Sequence, residues 1–290
     1  MSGRALRLAA LVLAGLAGCG TPRSFVANPG PYDRVPGAWH EALARARIAF
    51  ERGELATAHG LVEPLAREQP GLIPVWTFLQ EIELARLTRE GALGELAADD
   101  AEQARARLFE RAERAAADAP TAEACVLAAR LAPEPPAALA LLAQAEALAP
   151  ACVWVAYARA WWHYRARDFK AARTELQRAL KLDGGHLPSV RLSATLLAGA
   201  GDYEEAAVAL EVWLDRMADD PLFSSNERAD ALLDLAAVRV LLDDSGEALE
   251  LLEALDPRAL RDPGRAEAVR AAALAARDDP AEALEAVRRA

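Results

Sequence analysis

From residue 38 onward, apolar residues recur at helical spacing in stretches of about twelve to fifteen residues, with charged residues between them. No stretch alternates apolar and polar residues as a half-buried strand does. The helical stretches come in pairs, divided by breaks rich in Pro, Gly or Asp, so the pattern predicts an all-α chain of helical hairpins in series. The starts of the second helices are best marked: Gly53-Glu54-Leu55 before Ala58, Asp168-Phe169 before Ala172, and Gly201-Asp202-Tyr203 before Ala206. Two fainter starts lie around Ala248 and Ala283.

These alanines set the period. Ala138, Ala172 and Ala206 are each 34 residues apart, and Ala248 and Ala283 are 35 apart. Ala58 to Ala138 is 80, which predicts an insertion near 91–100, and Ala206 to Ala248 is 42, which predicts another near 219–226. Other positions fall into register: Trp76 and Leu79 on a first helix, Ala194 and Ala236 as its small residues, Leu176 and Leu210 four residues after the second-helix alanine, and Pro70 and Pro150 closing units. With this period and these residues the chain resembles the tetratricopeptide repeat family across residues 38–290. The resemblance implies a right-handed superhelical solenoid of about seven helix-turn-helix units, starting near Trp39, Ile73, Pro120, Val153, Leu187, Ala229 and Gly264, with a concave groove for protein partners. Three features depart from the family pattern: the Gly before the first-helix small residue is mostly missing, Arg159 stands at a usually apolar place, and Glu83 where Tyr is common.

Ahead of the repeats the pattern changes. Arg4 and Arg7 precede eleven apolar residues, Leu8 to Gly18, too few to span a bilayer. The run closes in Leu16-Ala17-Gly18-Cys19, which resembles the bacterial lipobox. That resemblance implies a lipoprotein signal peptide at 1–18, lipid attachment at Cys19, and, since Gly20 is not the Asp that commonly retains such proteins, an outer-membrane position facing the periplasm. Attachment by several acyl chains is stable, each buried methylene contributing about 0.8 kcal/mol. Residues 19–37 are rich in Gly and Pro without helical periodicity and read as a flexible tether.

Charge narrows the partners. The formal charge is −11, and removal of Arg4 and Arg7 with the signal peptide takes it to −13, which argues against nucleic acid and leaves the anchor as the only expected tie to a membrane. No phosphate loop, His-Glu-x-x-His, nucleophile elbow or paired-Cys motif occurs, so the chain reads as a binding protein without catalytic residues, metal or cofactor. His40, His59, His163 and His186 are scattered as surface or interface residues. Cys125 and Cys152 permit either a disulfide between units or two thiols packed in an Ala-rich core.

The segment from Ala151 to Phe169 carries the densest aromatic signal. Trp154, Tyr157, Trp161 and Tyr164 advance by three, four and three, which puts them on one helical stripe with Arg165 at its edge and Ala156 and Ala160 opposite. If the small residues face the paired helix, the stripe looks into the groove, and Tyr, Trp and Arg are the side chains that dominate many interfaces. The same spacing also serves as packing, and both readings stand. Trp39, Trp162 and Trp213 lie off the stripe, as packing between helices. The expected function is a membrane-anchored scaffold that holds a segment of an envelope protein through Trp154, Tyr157, Trp161, Tyr164 and Arg165; the alternative is a structural or self-assembling spacer.

Overall fold

A computed structural model describes residues 35–91, 99–217, 220, 222–256, 259–260, 262–277 and 280–289. The signal-like segment, Cys19 and the tether up to residue 34 lie outside the described residues. Fourteen α-helices follow one another, with no strand among the described residues. They are α1 (His40–Glu51), α2 (Leu55–Glu68), α3 (Ile73–Gly91), α4 (Asp99–Asp118), α5 (Ala122–Leu131), α6 (Pro135–Leu148), α7 (Val153–Arg165), α8 (Phe169–Leu182), α9 (Leu187–Ala200), α10 (Tyr203–Met217), α11 (Ser225–Leu241), α12 (Ser245–Glu253), α13 (Pro263–Ala276) and α14 (Pro280–Arg289). A 3-10 turn, Gly37–Trp39, leads into α1, and Val35 and Trp39 are buried beside it, so the last residues of the expected tether belong to the core.

Four helix reversals share one geometry. Gly53, Arg167, Gly201 and Asp243 each adopt positive φ, at 75°, 60°, 90° and 67°. In each, the next residue's N–H returns to a carbonyl five residues back: Glu54 to Ala49, Asp168 to His163, Asp202 to Leu197 and Asp244 to Arg239, at 2.8 to 3.0 Å. This left-handed closure satisfies carbonyls that a helix end leaves open. The second helix then starts with its first N–H groups partly capped, by Asp168 on Ala171 and by Asp244 on Glu247. Five residues after the left-handed residue comes an alanine with no exposure: Ala58, Ala172, Ala206 and Ala248. Only a side chain of that size lets the returning helix lie close against the first.

The other helix starts use different devices. Thr121 caps α5, Pro135 opens α6, Ser224 and Glu227 form a capping box on α11, and Asp262 with Pro263 opens α13. The second hairpin takes up additional length in its helices, since α3 has 19 residues and α4 has 20 against 14 in α8.

The chain divides into two compact units. One holds the described part of residues 35–189 together with Asp220 and Leu222; the other holds residues 190–217 and the described residues from Phe223 onward, the boundary falling inside α9. In the first unit, Trp39, Leu43, Val62, Val75, Phe78 and Ile82 are at the centre of the core of the first hairpins, and Leu222 is buried among them. In the second unit, Leu233, Leu252, Val269 and small alanines form one core, and Ala194, Ala206, Leu210, Leu235 and Val238 another.

The shared turn makes a direct prediction. Nothing lies within 4 Å of a Cβ built on Gly201, so Gly201→Ala meets only backbone strain and costs about 1 kcal/mol, while Arg167→Gly is neutral or gains up to about 0.5 kcal/mol. Urea unfolding of both variants checks the pair. Equal losses in both would mean that the left-handed position is not what sets these turns.

Candidate partner-binding site

The aromatic residues of α7 separate into a closed group and an open edge. Trp154, Tyr157 and Trp161 are 0%, 5% and 6% exposed, so most of the stripe is packed away in the free chain. Trp154 meets Tyr157 at 6.0 Å and His186 at 4.6 Å between ring centres, and Tyr157 meets His186 at 5.3 Å, all edge to face. His186, just ahead of α9, is therefore the lid on this half of the stripe, and its Nδ1 is 2.8 Å from Ser189 Oγ. The spacing within α7 could not reveal it, because a lone histidine in the turn between α8 and α9 carries no periodic signal.

The second half reaches the surface. Trp161 stacks edge to face on Trp162 at 5.0 Å, and the Arg165 guanidinium lies over both rings at 4.9 and 5.0 Å. Tyr164, half-buried, lies 5.9 Å from Phe169, which is 50% exposed. Behind this edge, Arg105 of α4 donates to the carbonyls of Arg130 and Leu131 at the end of α5. Burial lowers the Arg105 pKa first, and the charges of Arg130 and Arg165 lower it further, so three guanidinium groups share this corner of an acidic protein.

Several charged side chains on the first helices pair with charges on neighbouring first helices. In the first unit Arg47 of α1 lies 3.8 Å from Glu81 of α3, and Glu81 also accepts from Arg130 of α5 at 3.2 Å. Arg130 donates to Gln80 too, and Gln80 donates to the Leu127 carbonyl. In the second unit Asp234 of α11 accepts from both Arg191 of α9 and Arg265 of α13. Burial works against the charge on Asp234, but the two arginines outweigh it and hold the carboxyl below the ordinary range.

Two of the departures from the repeat pattern find their reason here. Arg159 is bonded to Glu146 of α6, which also binds Arg178 of α8. Glu83 pairs with Arg111 of α4 and lies 3.8 Å from His59 Nε2. Charge pairs between neighbouring helices thus take the places that apolar contacts hold in the family pattern. Cys125 is a buried thiol rather than half of a disulfide, its pKa raised by burial and then by Glu123. Among the described residues no cluster of three or more His, Cys, Asp or Glu could hold a metal ion, and no helix is long and apolar enough to cross a membrane.

The fold and this edge define a class, an all-α protein of consecutive helical hairpins. No protein-family model matches the chain, and no curated protein does. Among solved structures it is similar to a tetratricopeptide repeat protein from Parabacteroides merdae, with 14% identity, a TM-score of 0.45 and coverage of 88% of this chain and 92% of that one. It is also similar to yeast Tom70, with 14% identity, a TM-score of 0.41 and coverage of 96% of this chain and 64% of that one. The hairpin class itself rests on the helix pairing and turns described above.

The lid has a pH signature. Burial pushes the His186 imidazole down to about 3 from an ordinary value near 6.5. Its neutral form therefore contributes full stability above about pH 6.5, and this is lost as pH falls toward 3, because the unfolded chain takes up a proton that the folded chain refuses. At pH 5 the loss is about 2 kcal/mol. His186→Gln removes the titration, so the stability gap between wild type and variant in urea unfolding is about 2 kcal/mol smaller at pH 5 than at pH 7. A gap independent of pH would rule out a buried neutral imidazole.

Proposed function

We propose that this chain is a membrane-anchored protein–protein interaction scaffold of the bacterial cell envelope, holding a segment of a partner protein against its helical hairpins. The observation that carries the binding reading is the open edge of α7. There Arg165 lies over Trp161 and Trp162, and Tyr164 and Phe169 present ring surface to solvent. Aromatic rings and an arginine on rigid helices offer a large contact area at little cost in rotamer freedom. The Arg165 guanidinium over these rings favours a segment that brings a carboxylate beside an apolar side chain. Trp154, Tyr157 and Trp161 support that edge from below, and Tyr164 and Arg165 are the members of the stripe that a partner meets first.

The anchor rests on the sequence around Cys19: two arginines, a short apolar run and a lipobox-like tetrapeptide. An outer-membrane position facing the periplasm follows from Gly20 in place of Asp. The scaffold needs neither metal nor cofactor.

Two measurements test the parts separately. Tyr164→Ala combined with Arg165→Glu lowers recovery of the partner from solubilised membranes by at least about tenfold, the size expected when one or two dominant contacts are lost, with helical content unchanged by circular dichroism. Undiminished recovery removes this edge as the interface. Cys19→Ala, for its part, shifts the protein from the membrane to the soluble fraction. Persistent membrane attachment in that variant would refute the lipid anchor while leaving the binding edge untouched.

A further inference from the structure

The core of the first hairpins contains a residue from far along the chain. Leu222 is fully buried with Trp39, Leu43, Val75 and Phe78, and its carbonyl accepts a hydrogen bond from Arg47, 175 residues earlier. Arg47 is prepared for this. Its guanidinium lies 3.9 Å from the Phe78 ring centre and 3.8 Å from Glu81, and the residue is 6% exposed. The face shared by α1 and α3 is thus an apolar socket with a fixed donor at its rim.

The N–H of Leu222 is taken by Asp220 Oδ1 at 2.9 Å, within the same segment, while its side chain and carbonyl enter the socket. Among the described residues, Arg47 Nε is buried without an acceptor. A buried donor left unmatched is unfavourable, and an occupant that supplied a second acceptor would relieve it. The residues that follow have contacts of their own: Ser224 and Glu227 cap α11, and Phe223 packs on Trp213 at 5.2 Å. The residue in the socket also falls in the stretch by which the Ala206 to Ala248 spacing of 42 exceeds the 34 of the two preceding units.

We infer that the face of α1 and α3 is a second recognition site, for an extended peptide segment bearing a leucine and two backbone or carboxylate acceptors. The segment carrying Asp220 and Leu222 is its built-in occupant. A partner segment of this chemistry displaces Leu222, takes the Arg47 donor and supplies the acceptor that Nε lacks. The inference extends the binding reading above to a site of its own, away from the α7 edge, and asks nothing of the lipid anchor.

The probe is a fluorescein-labelled peptide of this chain's own residues 216–226, RMADDPLFSSN, with a control in which its leucine is replaced by alanine. On the full chain, the peptide binds Leu222→Ala at least tenfold more tightly than wild type, and adding Arg47→Met to that variant abolishes binding. In unsubstituted protein, saturating peptide raises chymotrypsin cleavage next to Leu222 and Phe223, and the control peptide does not. This second arm needs no variant to fold. Equal affinity for wild type and Leu222→Ala, binding that survives loss of Arg47, or cleavage unmoved by peptide overturns the inference. If those results come with partner recovery that still depends on Tyr164 and Arg165, the displacement fails and the binding reading at α7 stands.

Discussion

In this chain a helix turns back on itself through one left-handed residue, and the returning helix meets the first at an alanine five positions later. Where Gly53, Arg167, Gly201 and Asp243 take positive φ, Ala58, Ala172, Ala206 and Ala248 lose all exposure. The two facts depend on each other. The turn fixes how the second helix leaves the first, and in that direction the alanine methyl is fully covered. Each of these hairpins is therefore set by about six residues of local chemistry.

Close alanine contacts bury little area apiece, so these hairpins need other means of choosing their neighbours. Charge pairs between successive first helices supply them: Arg47, Glu81 and Arg130 in one unit, Arg191, Asp234 and Arg265 in the other. Such pairs add little net stability, since taking ions out of water offsets most of their attraction. Their effect is on specificity, because a helix placed beside the wrong neighbour would bury a charge alone. Arg159 with Glu146, and Glu83 with Arg111, show the same arrangement between hairpins and within one.

The α7 stripe shows how packing and binding divide a single helix face. Trp154 and Tyr157 lie under His186 and Trp161 packs on Trp162, and the face opens only at its C-terminal end, where Tyr164 and Arg165 meet Phe169 and Trp162. The buried rings hold the open edge rigid, which lowers the entropy cost of using it. A similar economy holds at α1 and α3, where the socket is shaped by core residues and the donor at its rim is braced by a ring and a carboxylate.

What the sequence determined by itself is whatever nearest neighbours along the chain decide. Helical periodicity, the Gly and Asp breaks, and small residues recurring at 34 positions specify an all-α chain of paired helices, because those signals act within a turn or two of backbone. Gly53 and Gly201 advertise their turns; Arg167 and Asp243 occupy the same conformation with nothing in their composition to reveal it. The spacing of Trp154, Tyr157 and Trp161 put them on one stripe but could not say whether it was covered, since the cover, His186, sits past another helix. Only the tertiary structure decided that Arg159 is neutralised by Glu146, that Asp234 binds two arginines, and that Leu222 enters a core built by residues 35–82. Each of these depends on which segments distant in the chain come to lie side by side, and no local pattern of apolar and polar residues carries that information.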